Sequence, residues 1–297
     1  MTSLAPPLFS LRWFSVVLEL IRFDRPAGTL LLFLPGFWSL LASWKGAPPP
    51  GLLLIFFLGS FFMRSAGCVI NDILDRHVDG LVERTKNRPI VSGRISVGAA
   101  LAVFIFFCLL SASLLMFLNP LTVKVALVGL LATIVYPLFK RFFPVPQLFM
   151  GIPFGLVAPI MAWTASRNEL SWAAVFIGLA GLFWSTSYDL VYAISDRDDD
   201  IRAGVRSGAL TFGDHLWVMI LFFGTLSGVF LLMASVRLGI FKALPFAIFL
   251  FVLLIFYQSY KVREGLTPVH AQKLFKAHVY LGVIVAMGFL LESPVLL

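Results

Sequence analysis

Charge is scarce in this chain of 297 residues: only 13% of them are Asp, Glu, Lys or Arg, whereas 60% are hydrophobic. A soluble domain usually has about 25% charged residues, so the composition excludes an ordinary soluble domain. The apolar residues form stretches of roughly twenty, the length that crosses a hydrocarbon core about 30 Å thick. Because a backbone in lipid must satisfy its own hydrogen bonds, and because the stretches lack the alternation of a membrane barrel, we predict helices.

Cysteine is also scarce. Cys68 and Cys108 both lie inside apolar stretches, so we interpret them as packing residues rather than as disulfide partners or metal ligands. The pattern of a cleavable signal peptide is missing as well. The first apolar stretch, Leu11 to Phe23, is short, contains charged residues and has no small-residue cleavage site. We predict that it is an amphipathic helix on the membrane surface, within an interfacial N-terminal segment of residues 1–25.

The hydrophobic pattern predicts an all-α, polytopic membrane protein with about nine transmembrane helices, in a single domain that covers residues 1–297. The fourth and fifth spans are the least regular, because Pro137, Pro144 and Pro146 interrupt them. The predicted spans are 26–44, 51–71, 97–117, 121–138, 145–165, 171–195, 214–236, 238–258 and 273–293.

The basic residues predict an orientation in the membrane. If the N-terminus is cytoplasmic and the spans alternate, 17 of the 23 Lys and Arg residues lie on the cytoplasmic side and five on the other, while Arg64 falls inside the second span. The loops that carry the basic residues are short, so the positive-inside rule applies to them. We therefore interpret the net charge of +8 as a sign of topology and of contact with anionic lipid, and predict no nucleic-acid partner.

Acidic residues are few, and eight of the 15 fall in two clusters on the predicted cytoplasmic side. The clusters read Asn71-Asp72-Ile-Leu-Asp75-Arg-His-Val-Asp79 and Asp189-Leu-Val-Tyr192-Ala-Ile-Ser-Asp196-Arg-Asp198-Asp199-Asp200. Helical residues four apart share a face, so each cluster predicts a stripe: Asn71, Asp75 and Asp79 in the first, Asp196 and Asp200 in the second. Asp72 points about 100° away from its stripe, whereas Asp189 and Tyr192 lie deeper in the span, near theirs.

Stacked carboxylates repel each other and are costly near lipid, so a bound cation would stabilise both stripes. Oxygen ligands select a hard cation, and Mg²⁺ commonly binds through one or two carboxylates and a substrate phosphate. We therefore predict a Mg²⁺ site that holds a diphosphate, rather than a solvated, charged loop edge. Its candidate ligands are Asn71, Asp72, Asp75, Asp79, Asp196, Asp199 and Asp200.

Basic residues on the same predicted side are candidates to bind the diphosphate, since Arg forms bidentate contacts with phosphate. Each of them also orients the chain, and that role alone would explain any single one. The candidates are Arg84, Lys86, Arg88, Lys140, Arg141 and Arg206. Arg64 differs because a charge inside a span is a functional-site candidate by default, the alternative being that it pairs with an aspartate.

The two clusters resemble the motifs of the UbiA superfamily of intramembrane aromatic prenyltransferases. The first matches the family's N-D-x-x-D-x-x-x-D motif, and the second, followed by Gly204-Val-Arg206-Ser207, resembles its second motif. Ala203 departs from the pattern, which has a larger aliphatic residue there. Four more stretches are most similar to the subgroup that prenylates 4-hydroxybenzoate: Arg22-Phe-Asp-Arg25-Pro26-Ala-Gly28, Arg64-Ser-Ala-Gly67-Cys68, Arg84-Thr-Lys-Asn-Arg88-Pro89 and Tyr136-Pro137-Leu-Phe-Lys140-Arg141. The resemblance covers residues 20–215.

The resemblance implies nine spans around a central cavity in the cell inner membrane, with an active site that faces the cytoplasm. It also implies Mg²⁺-dependent transfer of a polyprenyl group from polyprenyl diphosphate to a ring carbon of 4-hydroxybenzoate, in ubiquinone or plastoquinone synthesis. The implied catalytic residues are Asp75, Asp79, Asp189, Asp196 and Asp200. On the same hypothesis the aromatic acceptor is bound by Arg22, Arg64, Asp189 and Tyr192.

Other functions stay open at this point. Another quinone precursor, homogentisate or dihydroxynaphthoate, is an alternative acceptor within the superfamily. An ion-coupled transporter also carries buried acids and arginines, but such sites usually lie near the middle of the bilayer, whereas these acids gather at one surface. A non-catalytic lipid-binding scaffold has no need of paired metal stripes.

Overall fold

The computed structural model describes residue 7 and residues 10–80, 85–139, 143–204 and 206–292, with the backbone alone at 78, 136–139 and 203. Within these ranges the chain is helical and contains no β-strand, as the hydrophobic pattern predicts. The α-helices are α1 (Leu11–Leu20), α2 (Ala27–Ser43), α3 (Pro50–Leu74), α4 (Arg76–Asp79), α5 (Val97–Leu114), α6 (Pro120–Phe139), α7 (Pro146–Gly151), α8 (Ala158–Arg167), α9 (Trp172–Ala203), α10 (Gly208–Phe212), α11 (Leu216–Leu238), α12 (Ala243–Arg263) and α13 (Pro268–Leu291).

Seven of the described helical segments are long and apolar enough to cross a membrane, and two shorter apolar helices, α2 and α6, complete the pattern. These nine segments coincide with the nine predicted spans, which confirms the all-helical, multi-pass membrane fold. The boundaries differ most at the sixth and eighth spans. Residues 171–195 were predicted, but α9 continues to Ala203, and the span predicted at 238–258 lies at Ala243–Arg263.

Prolines bound or distort the helices of the fourth and fifth spans. Pro137 lies within α6, and Pro146 begins α7. Between α7 and α8 the helix widens into a π-helical segment, Ile152–Val157, which contains Pro153. Proline lacks an N–H donor and clashes with the preceding turn, so a local change of helical pitch is its expected effect.

The chain divides into two compact units, residues 1–30 with 57–117 and residues 31–56 with 118–297. The single domain predicted for residues 1–297 therefore stays a prediction, and each unit is described by itself. In the first unit, α1 packs Val16 and Leu20 into an apolar core shared with α3 and α5. Its opposite side leaves Leu11 and Phe14 exposed, as expected for a helix on a membrane surface.

The core of the second unit is built around two tryptophans. Trp38 and Trp184 are fully buried with ring centroids 4.9 Å apart. The Trp38 indole donates a hydrogen bond to the carbonyl oxygen of Gly282 at 2.8 Å, and the Trp184 indole donates to Nδ1 of His278 at 3.0 Å. These bonds join α2 and α9 to α13, because a buried indole N–H is stable only with an acceptor.

Candidate active site

The first acidic motif lies where α3 ends, in the first unit. Asp75 occupies a bend between α3 and α4, yet its N–H still bonds to the carbonyl of Asn71 at 2.9 Å, and the Asp79 N–H bonds to the carbonyl of Asp75 at 2.8 Å. The four-residue repeat therefore persists in the backbone through the bend. The stripe runs from the last turn of α3 through the bend to the end of α4. Along it, Asn71 is half-buried, Asp75 is exposed and Asp79 is buried.

Buried ion pairs surround Asp72. Arg22 donates to Oδ1 of Asp72 at 2.7 Å, and Arg88 donates to the same oxygen at 3.1 Å. Arg88 also donates to Oδ2 of Asp79 at 2.6 Å. The side chain of Asp72 is only 3% exposed, so its charge depends on these partners for stability. Arg22, predicted to bind the acceptor, and Arg88, predicted to bind the diphosphate, thus meet at one carboxylate.

The structure describes only two of the other predicted phosphate-binding residues. Lys86 and Arg206 are exposed, whereas Arg84, Lys140 and Arg141 lie outside the described residues. Near the first motif, Arg94 forms a bidentate pair with Glu19 at 2.6 and 2.7 Å. These hydrogen bonds raise the pKa of the Arg94 guanidinium above its usual value.

Arg64 lies within α3. The sequence alone did not identify which residue contacts its side chain. Its guanidinium donates to the thiol of Cys68, one turn further along the helix. It also packs against Gly28, where a Cβ atom would collide with the guanidinium group. Two of the stretches that resemble the UbiA subgroup therefore meet at this arginine. Cys68, interpreted from the sequence as a packing residue, is also a hydrogen-bond acceptor; no sequence signal distinguished this role.

The second acidic motif lies on one continuous helix, α9, in the second unit. Asp189 and Tyr192 are half-buried. Asp189 lies two helical turns before Asp196, and Tyr192 lies one turn before it. Asp196, Asp199 and Asp200 are half-buried as well. The helix ends at Gly204, which has a φ of 64° and donates its N–H to the carbonyls of Asp200 and Ile201. This left-handed cap is easily adopted by glycine and ends the helix directly after the motif.

An aromatic cluster fixes the deeper part of this motif. The Tyr188 ring lies edge-on to Trp184 at 5.2 Å and to Phe275 at 5.6 Å. Tyr192, one turn later, lies edge-on to Phe275 at 4.9 Å. Because edge-to-face pairs have a preferred geometry, these contacts hold the turn that carries Asp189 in a defined rotation.

The donor chemistry of the motifs fits Mg²⁺. Among the described residues, no group of three or more His, Cys, Asp or Glu side chains is gathered to hold a metal ion. Mg²⁺ does not require such a cage, because it keeps several waters and uses one or two carboxylates with substrate phosphates. The amide oxygen of Asn71 and the carboxylate oxygens of Asp75, Asp196 and Asp200 are donors of this kind.

The fold and the acidic motifs together define a multi-pass membrane protein with oxygen donors at the ends of two of its helices. Comparison with known families matches residues 32–284 to the UbiA prenyltransferase family. The chain belongs to this family, as its motifs predict.

Similar proteins include 4-hydroxybenzoate octaprenyltransferase of Vibrio campbellii, which is 38% identical over 92% of this chain and 95% of its own length. The protein of the same name from Neisseria meningitidis serogroup C is 46% identical over 67% of both chains. Among solved structures, the apo form of a UbiA homologue from Aeropyrum pernix has a TM-score of 0.75 at 22% identity, covering 89% of this chain and 97% of that one.

A UbiA homologue from Archaeoglobus fulgidus was solved with GPP and Mg²⁺. It has a TM-score of 0.64 at 19% identity and covers 93% of this chain and 99% of that one. At this identity the likeness shows a common fold.

Proposed function

We propose that this protein transfers a polyprenyl group from polyprenyl diphosphate to a ring carbon of 4-hydroxybenzoate and releases diphosphate. The observation that carries the proposal is that both acidic motifs occur in a chain 38% identical, over 92% of its length, to a 4-hydroxybenzoate octaprenyltransferase. The reaction belongs to ubiquinone or plastoquinone synthesis. Homogentisate and dihydroxynaphthoate are the alternative acceptors.

Mg²⁺ would be held by Asn71, Asp75 and Asp79 of the first motif and by Asp196 and Asp200 of the second, with Asp199 beside them. When bound, Mg²⁺ supplies Lewis-acid stabilisation of the charge that develops on the leaving diphosphate. Arg88 lies among the first group of ligands, where its guanidinium is bonded to Asp79. Its remaining N–H donors are suited to the phosphate oxygens, because a guanidinium carries five donors and a carboxylate uses at most two.

The acceptor carboxylate would pair with Arg64. This guanidinium is deep in α3, two turns before Asn71, and is held there by Cys68 and Gly28. Asp189 would orient the phenol or accept a proton at its carboxylate, with Tyr192 beside it. Apolar walls around the site would exclude water, which would otherwise react with the allylic carbocation.

The active site would face the cytoplasm, in the cell inner membrane. The predicted excess of Lys and Arg on the side of both motifs supports this orientation. The exposed apolar side of α1 supports contact of that side with the bilayer surface.

The test uses membranes that contain the protein, radiolabelled 4-hydroxybenzoate and a series of prenyl diphosphates of increasing length. We expect a labelled, lipid-soluble product and an equal amount of released diphosphate, both abolished by chelation of Mg²⁺. Parallel reactions with homogentisate and dihydroxynaphthoate rank the alternative acceptors. Recovery of chemically unchanged label on the far side of sealed vesicles would instead indicate a transporter.

A further inference from the structure

Asp72 belongs to the first motif but faces away from its stripe. Asn71, Asp75 and Asp79 follow a four-residue repeat, whereas Asp72 is rotated by about 100° from Asn71. The structure shows what the rotation does, because Asp72 is buried and points to two arginines that come from before α2 and after α4. The three residues belong to the same unit, and 50 residues separate Arg22 from Asp72.

One oxygen of Asp72 serves both arginines. Oδ1 accepts from Nη2 of Arg22 at 2.7 Å and from Nη1 of Arg88 at 3.1 Å. A carboxylate oxygen offers about two lone-pair sites, so these two bonds use the capacity of Oδ1. Both guanidinium groups are positively charged, so without the carboxylate between them they would repel each other. Asp72 therefore both attracts the arginines and keeps them adjacent.

Asp79 differs from Asp72 in the number of arginines that it holds and in the exposure of its side chain, which is 10% against 3%. It bonds to Arg88 through Oδ2, and no described residue bonds to its Oδ1. A cation can therefore approach Asp79 without displacing Arg88, and Arg88 keeps its second anchor on Asp72 even if Asp79 turns fully toward a metal. Oδ2 of Asp72 likewise has no bond from a described residue, but the Asp72 side chain is only 3% exposed, and a cation on its Oδ1 would displace both arginines.

We propose that Asp72 is a positioning residue that holds Arg22 and Arg88 side by side as a paired binding surface for the diphosphate of the prenyl donor, rather than a ligand of Mg²⁺. The assignment rests on the proposed function, because it concerns the same diphosphate. It moves Arg22 from the acceptor to the diphosphate and leaves Arg64 as the acceptor arginine. The side chains of Arg22 and Arg88 are 18% and 22% exposed, so each has an accessible edge for phosphate oxygens.

The deciding experiment separates a positioning role from a metal-binding role in Asp72→Asn, which keeps the shape of the side chain and removes its charge. At saturating Mg²⁺ we expect KM for the prenyl diphosphate to rise roughly tenfold, the lower end of the loss for a hydrogen bond to a charged group. The Mg²⁺ concentration for half-maximal rate should change less than about twofold. Asp75→Asn should give the opposite split.

A second readout needs no activity. Titration calorimetry with inorganic diphosphate, without metal, should show weaker binding to Asp72→Asn and to Arg88→Gln. The double variant should lose less than the two single losses combined, because both changes disrupt the same unit. Binding of Mn²⁺ alone, followed by electron paramagnetic resonance, should be unchanged in Asp72→Asn and weakened in Asp75→Asn.

Two variants complete the design. Glu19→Gln breaks the exposed pair with Arg94 in the same unit and should leave both constants unchanged. Arg22→Lys with Arg88→Lys retains the charges but loses the forked geometry, so it tests the paired surface even if Asp72→Asn fails to fold. We expect this pair to raise KM for the prenyl diphosphate without changing the Mg²⁺ requirement.

Opposite results overturn the assignment. A tenfold higher Mg²⁺ requirement in Asp72→Asn, with an unchanged KM at saturating Mg²⁺, identifies Asp72 as a metal ligand. Unaltered diphosphate binding in both Asp72→Asn and the double lysine variant removes the paired surface. Absence of prenylated product with the unmodified protein refutes the proposed function instead, while the metal-free titration still reports on the arginines.

Discussion

The two acidic motifs present similar residues on different structures. In the first unit the acids extend over the end of α3, a bend and the short helix α4, and two of them, Asp72 and Asp79, are buried in ion pairs with arginines. In the second unit the acids lie on one helix of 32 residues, where Asp196, Asp199 and Asp200 are half-buried. The first motif is thus held in ion pairs with arginine side chains, whereas the second is one face of a long helix.

This difference indicates that the two motifs have different binding roles. Buried carboxylates that are bonded to arginines stabilise the position of those arginines, while the exposed Asp75 of the same motif remains in contact with solvent. The acids of α9 are placed by the rotation of a single rigid helix, which aromatic contacts of Tyr188 and Tyr192 hold. We infer that the first motif combines metal binding with anion binding, and that the second contributes metal binding and contacts to the acceptor.

The largest expected effect comes from removing one carboxylate that is proposed to bind Mg²⁺, in either motif. Asp75→Ala and Asp196→Ala should each lower kcat by roughly 10²–10³, the loss typical of one group that stabilises charge in the transition state. The double variant should not multiply the losses, because in the proposed function both carboxylates would act on the same Mg²⁺-bound diphosphate. Initial rates of prenyl transfer in membranes, over a range of Mg²⁺ concentrations, measure both effects.

The matched control is Asp198→Ala. Asp198 is exposed and lies about 200° around α9 from Asp196, so its removal should leave kcat within about twofold. A normal rate with normal Mg²⁺ dependence in Asp75→Ala or in Asp196→Ala would show that the motif concerned does not bind the catalytic Mg²⁺. The proposal that both motifs bind metal would then be wrong.

The second effect separates the acceptor from the donor. Arg64→Met should weaken the reaction of carboxylated acceptors by about 10- to 100-fold, the range for a hydrogen bond to a charged group. Phenols without a carboxylate should lose far less, and KM for the prenyl diphosphate should not change. Competition between the two acceptor classes in one reaction gives the ratio of kcat/KM directly. Equal losses for both classes would contradict the role of Arg64 in binding the carboxylate.

Helical spacing predicted much of this arrangement. The nine hydrophobic segments, the stripe from Asn71 to Asp79 and the stripe on α9 depend on residues close in the sequence, and the structure confirms that each stripe keeps its helical repeat. The same reasoning placed Asp72 off the stripe but assigned it no partner. Its arginines lie 50 and 16 residues away, and a pattern of local spacing contains no information about such pairs.

The contacts that small residues make with Arg64 could not be predicted from local sequence patterns either. The sequence showed Gly28 only as part of a stretch similar to a known subgroup, and it showed Cys68 as a packing residue without a named neighbour. Their contact with Arg64 depends on how α2 begins relative to α3, which tertiary structure alone determines. The π-helical turn at Ile152–Val157 is a similar case, because proline predicts a disturbance there but not its form.

The smallest effect tests this packing by adding one methyl group. A Cβ atom at Gly28 would lie too close to the Arg64 guanidinium, which must move because it is the flexible end of its side chain. We expect Gly28→Ala to raise KM for 4-hydroxybenzoate by up to about tenfold, within the range that a small misplacement of a binding group produces. KM for the prenyl diphosphate should stay constant, since Asp72 and its arginines are untouched.

Gly67→Ala is the matched control for this methyl group. Gly67 lies on α3 between Arg64 and Cys68, yet a Cβ atom there meets nothing within 4 Å, and alanine is a better helix former by roughly 0.5–1 kcal/mol. Its kinetic constants should equal those of the unmodified protein. If Gly28→Ala and Gly67→Ala behave alike, the space at Gly28 does not position Arg64. If Gly28→Ala instead raises both KM values, the acceptor arginine and the diphosphate arginines of the first unit respond together, and the separate roles proposed for them are wrong.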